Sequence, residues 1–118
     1  MTKIIFYKSD GVLYGFREVG HAGYDDAGKD IVCSALSAMT MLIVNTVEVA
    51  IGANVDYVID DDTTDIEVII KSALPSYEAD EKKRYAITNL LMGYYLQLHD
   101  MLEDYYDFIE VDETERKI

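Results

Sequence analysis

Apolar and polar positions change rhythm several times along the chain, and each change marks an element. Lys3 to Lys8 reads Lys-Ile-Ile-Phe-Tyr-Lys, a β-branched and aromatic run of strand composition. Ser9-Asp10-Gly11 follows, and Asp-Gly is a tight-turn signal because glycine tolerates positive φ. Val12 to Val19 then reads as the returning strand of an N-terminal hairpin. Gly20 to Lys29 carries three glycines in ten residues and no periodicity, so it reads as a loop. Asp30 is placed to cap a helix, its carboxylate accepting from the first free amides. From Ile31 to about Gly52 the spacing is helical, with apolar residues on nearly every face. Such a helix needs cover on several sides: the sheet, a second helix or a partner subunit.

Val55 to Asp60 and Ile66 to Lys71 form a second strand pair around an acidic turn, and Pro75 breaks the pattern after it. From Tyr77 onward Tyr85, Leu91, Tyr94, Tyr95, Leu98, Leu102 and Tyr105 recur at three- and four-residue spacing, the mark of an amphipathic helix. Phe108 to Val111 reads as a short final strand, and the tail after Val111 is unassigned. The order is ββαββαβ: an α+β single domain, a mostly antiparallel sheet with two long helices packed on it.

Composition narrows the function. At 118 residues the chain is one domain, able to bury roughly two-thirds of its unfolded surface. A single cysteine rules out an intramolecular disulfide and fits a reducing compartment, the cytoplasm. No basic stretch followed by an apolar one opens the sequence, so no signal peptide is expected. Ile31 to Ala53 approaches membrane-spanning length, but Glu48 within it would cost ~2.5 kcal/mol or more at a bilayer centre. A buried helix of a soluble protein is the reading, with no membrane partner. The net charge of −13 argues against gripping nucleic-acid phosphates and is compatible with a basic partner.

Metal and cofactor chemistry finds no footing in the residues. Asp60, Asp61, Asp62 and Asp65 lack the glycine and terminal glutamate of a calcium loop. One cysteine and two histidines fall short of a structural zinc site. His99 reads as a partly exposed helix residue, and the Tyr94-Tyr95 and Tyr105-Tyr106 pairs as packing. No cofactor is expected.

The informative residues lie where the loop meets the central helix. Cys33, three residues past the expected cap, falls in the first turn, beside free backbone amides and the positive pole of the helix. Both favour thiolate over thiol, and the thiolate is the nucleophile. The same amides, that of Ser34 among them, can hold an oxyanion. His21, at the end of the second strand, can take the thiol proton and return it to a leaving amine. Asp30 is the nearest candidate to orient the imidazole, and Ser37, one turn after Cys33, can hydrogen-bond in the same pocket. The loop between the pair is suited to act as a lid hinged at Gly20, Gly23 and Gly28. Spacing alone leaves plainer uses open: a cysteine in an apolar helix often packs as a small hydrophobe, and a histidine at a strand end often sits at the surface.

Gly20-His21-Ala22-Gly23-Tyr24, followed by Gly28-Lys29-Asp30-Ile31-Val32-Cys33-Ser34-Ala35, resembles the signature of the ribosomal-processing cysteine protease family, Prp. That signature is Gly-His-Ala and, about a dozen residues on, Asp-x-Val-Cys-[Ser/Ala]-Ala; the resemblance assigns nothing to Asp25-Asp26-Ala27, and substrate details that depend on them stay open. The resemblance extends over nearly the whole chain: hairpin, central helix, acidic strand pair and C-terminal helix all have counterparts. It implies an α+β fold and a homodimer in the bacterial cytoplasm. It also implies a thiol protease that removes the N-terminal extension of a basic large-subunit ribosomal protein. The family's histidine and cysteine fall on His21 and Cys33, its motif aspartate on Asp30 and its helix serine on Ser37. The alternatives are a non-catalytic ribosome-assembly factor that binds the same basic protein, and a cysteine hydrolase of unrelated substrate.

Overall fold

A computed structural model describes residues 1–20, 27–63 and 65–118, with the backbone alone described for residues 27–30. Strand β1, Thr2–Ser9, turns at Asp10-Gly11 into β2, Val12–Val19. Asp10 at φ 50° and Gly11 at φ 78° are both left-handed, the turn whose twist matches a two-residue hairpin. Helix α1, Ala27–Asn45, follows and widens into a π-helical turn, Thr46–Ile51. There the Thr46 hydroxyl donates to the Leu42 carbonyl at 2.6 Å, competing with the helical ladder. Gly52 at φ 77° ends it. Strands β3, Asp56–Ile59, and β4, Ile66–Ile69, lead through a 3₁₀ turn at Lys71–Ala73 to helix α2, Glu81–Tyr105. Asp80 caps α2, its carboxylate accepting from the Lys82 amide at 2.9 Å. Strand β5, Ile109–Glu115, closes the chain.

The five strands lie in the order β3-β4-β2-β1-β5. Every pairing is antiparallel except β1 with β5, which is parallel. The α+β class and the ββαββαβ order are those read from the sequence. One face of the sheet carries Ile4, Phe6, Phe16 and Val68, and both helices cover it: Val32, Leu36 and Ile43 from α1 with Val47 from its π-helical turn, Ile87, Leu91, Tyr94 and Leu98 from α2. Phe16 lies edge-on to Tyr94 at 5.0 Å between ring centres, and Phe6 to Tyr95 at 5.2 Å. The opposite face is a polar ladder in which Tyr7 donates to Glu67 at 3.0 Å and the Arg116 guanidinium lies over the Tyr7 ring at 4.6 Å. The stretch Ile31–Ile51 is long and apolar enough to cross a membrane by length and composition. Here its inner face is packed into the core of the domain.

Three boundaries differ from expectation. Helix α1 begins at Ala27, not after Asp30, so its first turn takes in residues expected to belong to the loop. Helix α2 begins at Glu81, after the Pro75 turn has run its course. The tail beyond Val111 is strand: Asp112 to Glu115 continue β5 alongside Ile5 to Lys8. Acidic residues form a strand there because β1 supplies the offsetting cations, Lys3 to Asp112 at 3.8 Å and Lys8 to Glu113 at 3.1 Å.

Candidate active site

The early start of α1 changes the surroundings of Cys33. It is the seventh residue of the helix, in the second turn. The free amides and the strongest part of the dipole belong to the first turn. The amides of Cys33 and Ser34 lie inside the helical ladder, so they are not the open donors that the sequence suggested. Asp30, the fourth residue of the helix, is not its N-cap, and Gly28, the second, is not a loop hinge. The sequence misled because Gly-Lys-Asp reads as loop and cap, while the first turn of a helix tolerates glycine when tertiary contacts hold the rest.

Cys33 sits on the border between two faces of α1. Val32 and Leu36 point into the core and are 0% and 1% exposed, Cys33 is partly exposed, and Ser34 and Ser37 face outward. The sulfur is therefore neither sealed in the interior nor free of the body of the domain, a placement from which a thiol can reach a peptide lying across α1. Ser37, one turn on, shares that outer side. His21 and Gly23 lie outside the described residues, as does the side chain of Asp30.

Strand β2 delivers the chain to His21 through Gly20 at φ 85°, a left-handed conformation that glycine adopts freely. A Cβ there would press on the Met1 carbonyl, well inside van der Waals contact. Gly20 is thus a close-packed exit from the sheet.

Beneath this end of the sheet lies a polar group that the sequence reading passed over. Glu18, on β2, is 1% exposed. One oxygen of its carboxylate accepts from two hydroxyls: Thr40 of α1 at 2.8 Å and Tyr94 of α2 at 2.6 Å. Burial first, then the Glu18 charge and its hydrogen bond, push the Tyr94 phenol well above its ordinary value, so it remains a donor. A signal existed in the sequence: Glu18 shares the strand parity of Phe16, the parity that faces the helices. Among the described residues no cluster of His, Cys, Asp and Glu is arranged to hold a metal ion.

The model of the family described as cysteine protease Prp matches residues 1–110. The chain belongs to the Prp family of cysteine proteases. It is, by that membership, a cysteine-type peptidase. Solved structures share the fold over almost the full chain. SMU.848 from Streptococcus mutans is 26% identical, with a TM-score of 0.78 over 98% of this chain and 99% of that one. The ribosomal processing protease Prp of Staphylococcus aureus, solved with a substrate peptide, is 18% identical with a TM-score of 0.76 over 97% and 100%. The same protease with a covalently linked product peptide gives 19% and 0.73 over the same shares. No curated protein matches. The fold, with its two helices and mixed sheet, is thus shared over almost the whole chain.

Proposed function

We propose that this Prp-family chain is an endopeptidase that removes the N-terminal extension of a basic large-subunit ribosomal protein. Cys33 is the nucleophile and His21 the general base and acid. The observation that carries the proposal is the family match over residues 1–110 taken with the partly exposed position of Cys33 on α1. The S. aureus relative, described as a ribosomal processing protease, supports the substrate class. With Cys33 one turn past the open helix end, activation of the thiol falls mainly to the imidazole rather than to the helix dipole.

In this reading His21 takes the thiol proton and the sulfur attacks the scissile carbonyl, forming a carbon–sulfur bond and a tetrahedral oxyanion. The carbon–nitrogen bond then breaks, and the imidazolium gives its proton to the leaving amine. Water, deprotonated by the neutral imidazole, attacks the thioester, and the thiolate departs to recover its proton. Asp30 and Ser37 take the lesser roles of orienting the imidazole and lining the peptide's path. The net charge of −13 favours encounter with a basic substrate. We place the enzyme in the bacterial cytoplasm as a homodimer. Outward apolar residues on the two helices, Leu42 and Leu96 at 60% exposure each and Val49 at 82%, support that assembly. Sedimentation of the purified chain reads the assembly directly.

The test is incubation with a peptide carrying the ribosomal extension, followed by mass spectrometry. Cleavage at one bond by the native chain, lost in Cys33→Ala, is the expected result. Tight binding without cleavage by the native chain, or cleavage that survives Cys33→Ala, rejects the assignment.

A further inference from the structure

Among the described residues Glu18 is the only charged side chain that is fully buried. A carboxylate taken out of water is costly unless it is hydrogen-bonded, and here two buried hydroxyls bond it. What the carboxylate adds is direction. Its Oε1 is a single point to which three elements are tied: β2 by the residue itself, α1 through Thr40, and α2 through Tyr94. The Tyr94 ring is held in turn against Phe6 and Phe16, at 5.6 and 5.0 Å between centres, so its hydroxyl cannot drift.

The two ends of this bridge lead to the reacting pair. Thr40 follows Cys33 by seven residues in α1, two turns along the same side of the helix. Glu18 precedes His21 by three residues, with the close-packed Gly20 between them. A rotation or slide of α1 against β2 would move Cys33 relative to the start of the His21 segment, and the Thr40–Glu18 bond opposes both movements.

We propose that Glu18 is a positioning residue for the peptidase reaction, which through Thr40 and Tyr94 sets helix α1, and with it Cys33, against the strand that leads to His21. The role rests on the reading of Cys33 and His21 as the reacting pair. It differs from holding the fold together in what it predicts: kcat of the folded variants falls when the bridge is cut and recovers when the bridge is kept.

The experiment compares the full chain with Glu18→Leu, Glu18→Gln, Thr40→Val and Thr40→Ser. Cleavage of the extension peptide gives kcat and KM, and circular dichroism gives the thermal midpoint, with assays run where every variant is folded. Thr40→Val and Glu18→Leu should lower kcat by about tenfold or more with KM nearly unchanged, since a misplacement of about 1 Å is enough for such a loss. Thr40→Ser keeps the hydroxyl and Glu18→Gln keeps an acceptor, so both should recover most of kcat. Glu18→Leu also strands the Thr40 and Tyr94 hydroxyls without their acceptor, so it should lower the thermal midpoint as well as the rate. Should Glu18→Leu fail to fold, Thr40→Val against Thr40→Ser decides alone. Equal kcat in native chain and Thr40→Val, or Thr40→Ser no better than Thr40→Val, overturns the proposal while leaving the peptidase intact. A native chain that leaves the peptide whole, or a Cys33→Ala variant that cuts it, overturns the peptidase reading and the positioning role together.

Discussion

Gly20→Ala is the substitution whose effect the structure specifies most closely. At φ 85° an alanine pays the left-handed penalty of about 1–2 kcal/mol. Part of this is offset, by about 0.4–1 kcal/mol, because alanine restricts the unfolded chain. The same two effects operate at Gly11, where φ is 78° and nothing lies within 4 Å of an added Cβ. Gly11→Ala should therefore cost only about 0.5–1 kcal/mol. At Gly20 the new methyl also meets the Met1 carbonyl, and relieving that contact adds about 1–2 kcal/mol of the overpacking kind. The net for Gly20→Ala is about 2 kcal/mol, or roughly 6–10 °C in thermal midpoint for a domain of this size. Urea titration and thermal circular dichroism of the two variants beside the native chain measure it. The steric part is their difference, so a Gly20→Ala variant no less stable than Gly11→Ala refutes the argument. Catalysis supplies a second reading: His21 follows directly, so kcat/KM should fall further than the folded fraction does.

Other expectations are simpler. Burial raises the phenols of Tyr7, Tyr14, Tyr94 and Tyr95 above their ordinary value of 10.0. Above that value the unfolded chain loses these protons before the native one does, so stability is complete below it and falls as pH rises through the native values. Thermal midpoints across the alkaline range should show this decline, and Tyr94→Phe should flatten it; an unchanged slope contradicts the assignment. Gly93→Ala, exposed in mid-helix with nothing within 4 Å, should stabilise by about 0.5–1 kcal/mol, and a lower midpoint would count against it. Cleavage of a basic peptide should slow as salt rises, because a net charge of −13 steers only over a Debye length of about 10 Å at ~0.1 M. A rate indifferent to salt removes steering from the account.

The hairpin was legible because two devices agree on it, a β-branched run on each side and an Asp-Gly turn between them. The second helix was legible from its apolar spacing alone. The start of α1 was not, since Ala27-Gly28-Lys29 has no helical signature of its own and is recruited by the core contacts of Val32 and Leu36 further along. The end of strand β5 was not legible because Asp112 to Glu115 have little strand propensity, and what holds them is non-local: the ladder to β1 and the lysines it carries. Of the site, the Gly-His-Ala and Asp-Ile-Val-Cys motifs pointed to Cys33 and His21, whereas physical spacing alone left both open. Glu18 was overlooked because one glutamate in a strand looks like any solvent-facing charge until its parity with Phe16 is counted.

The parallel pairing of the first strand with the last has a consequence for synthesis. A ribosome makes β1, Thr2–Ser9, long before β5, Ile109–Glu115, the neighbour that shields its far side. Until β5 arrives, the nascent hairpin carries an open row of amides and carbonyls along Thr2–Ser9, a template for any passing extended chain. Closing a ladder between segments so far apart in sequence is also a slow event in folding. The acidic side chains of β5 are thus the final piece of the sheet to be set, and a chain stopped short of them leaves its oldest strand exposed.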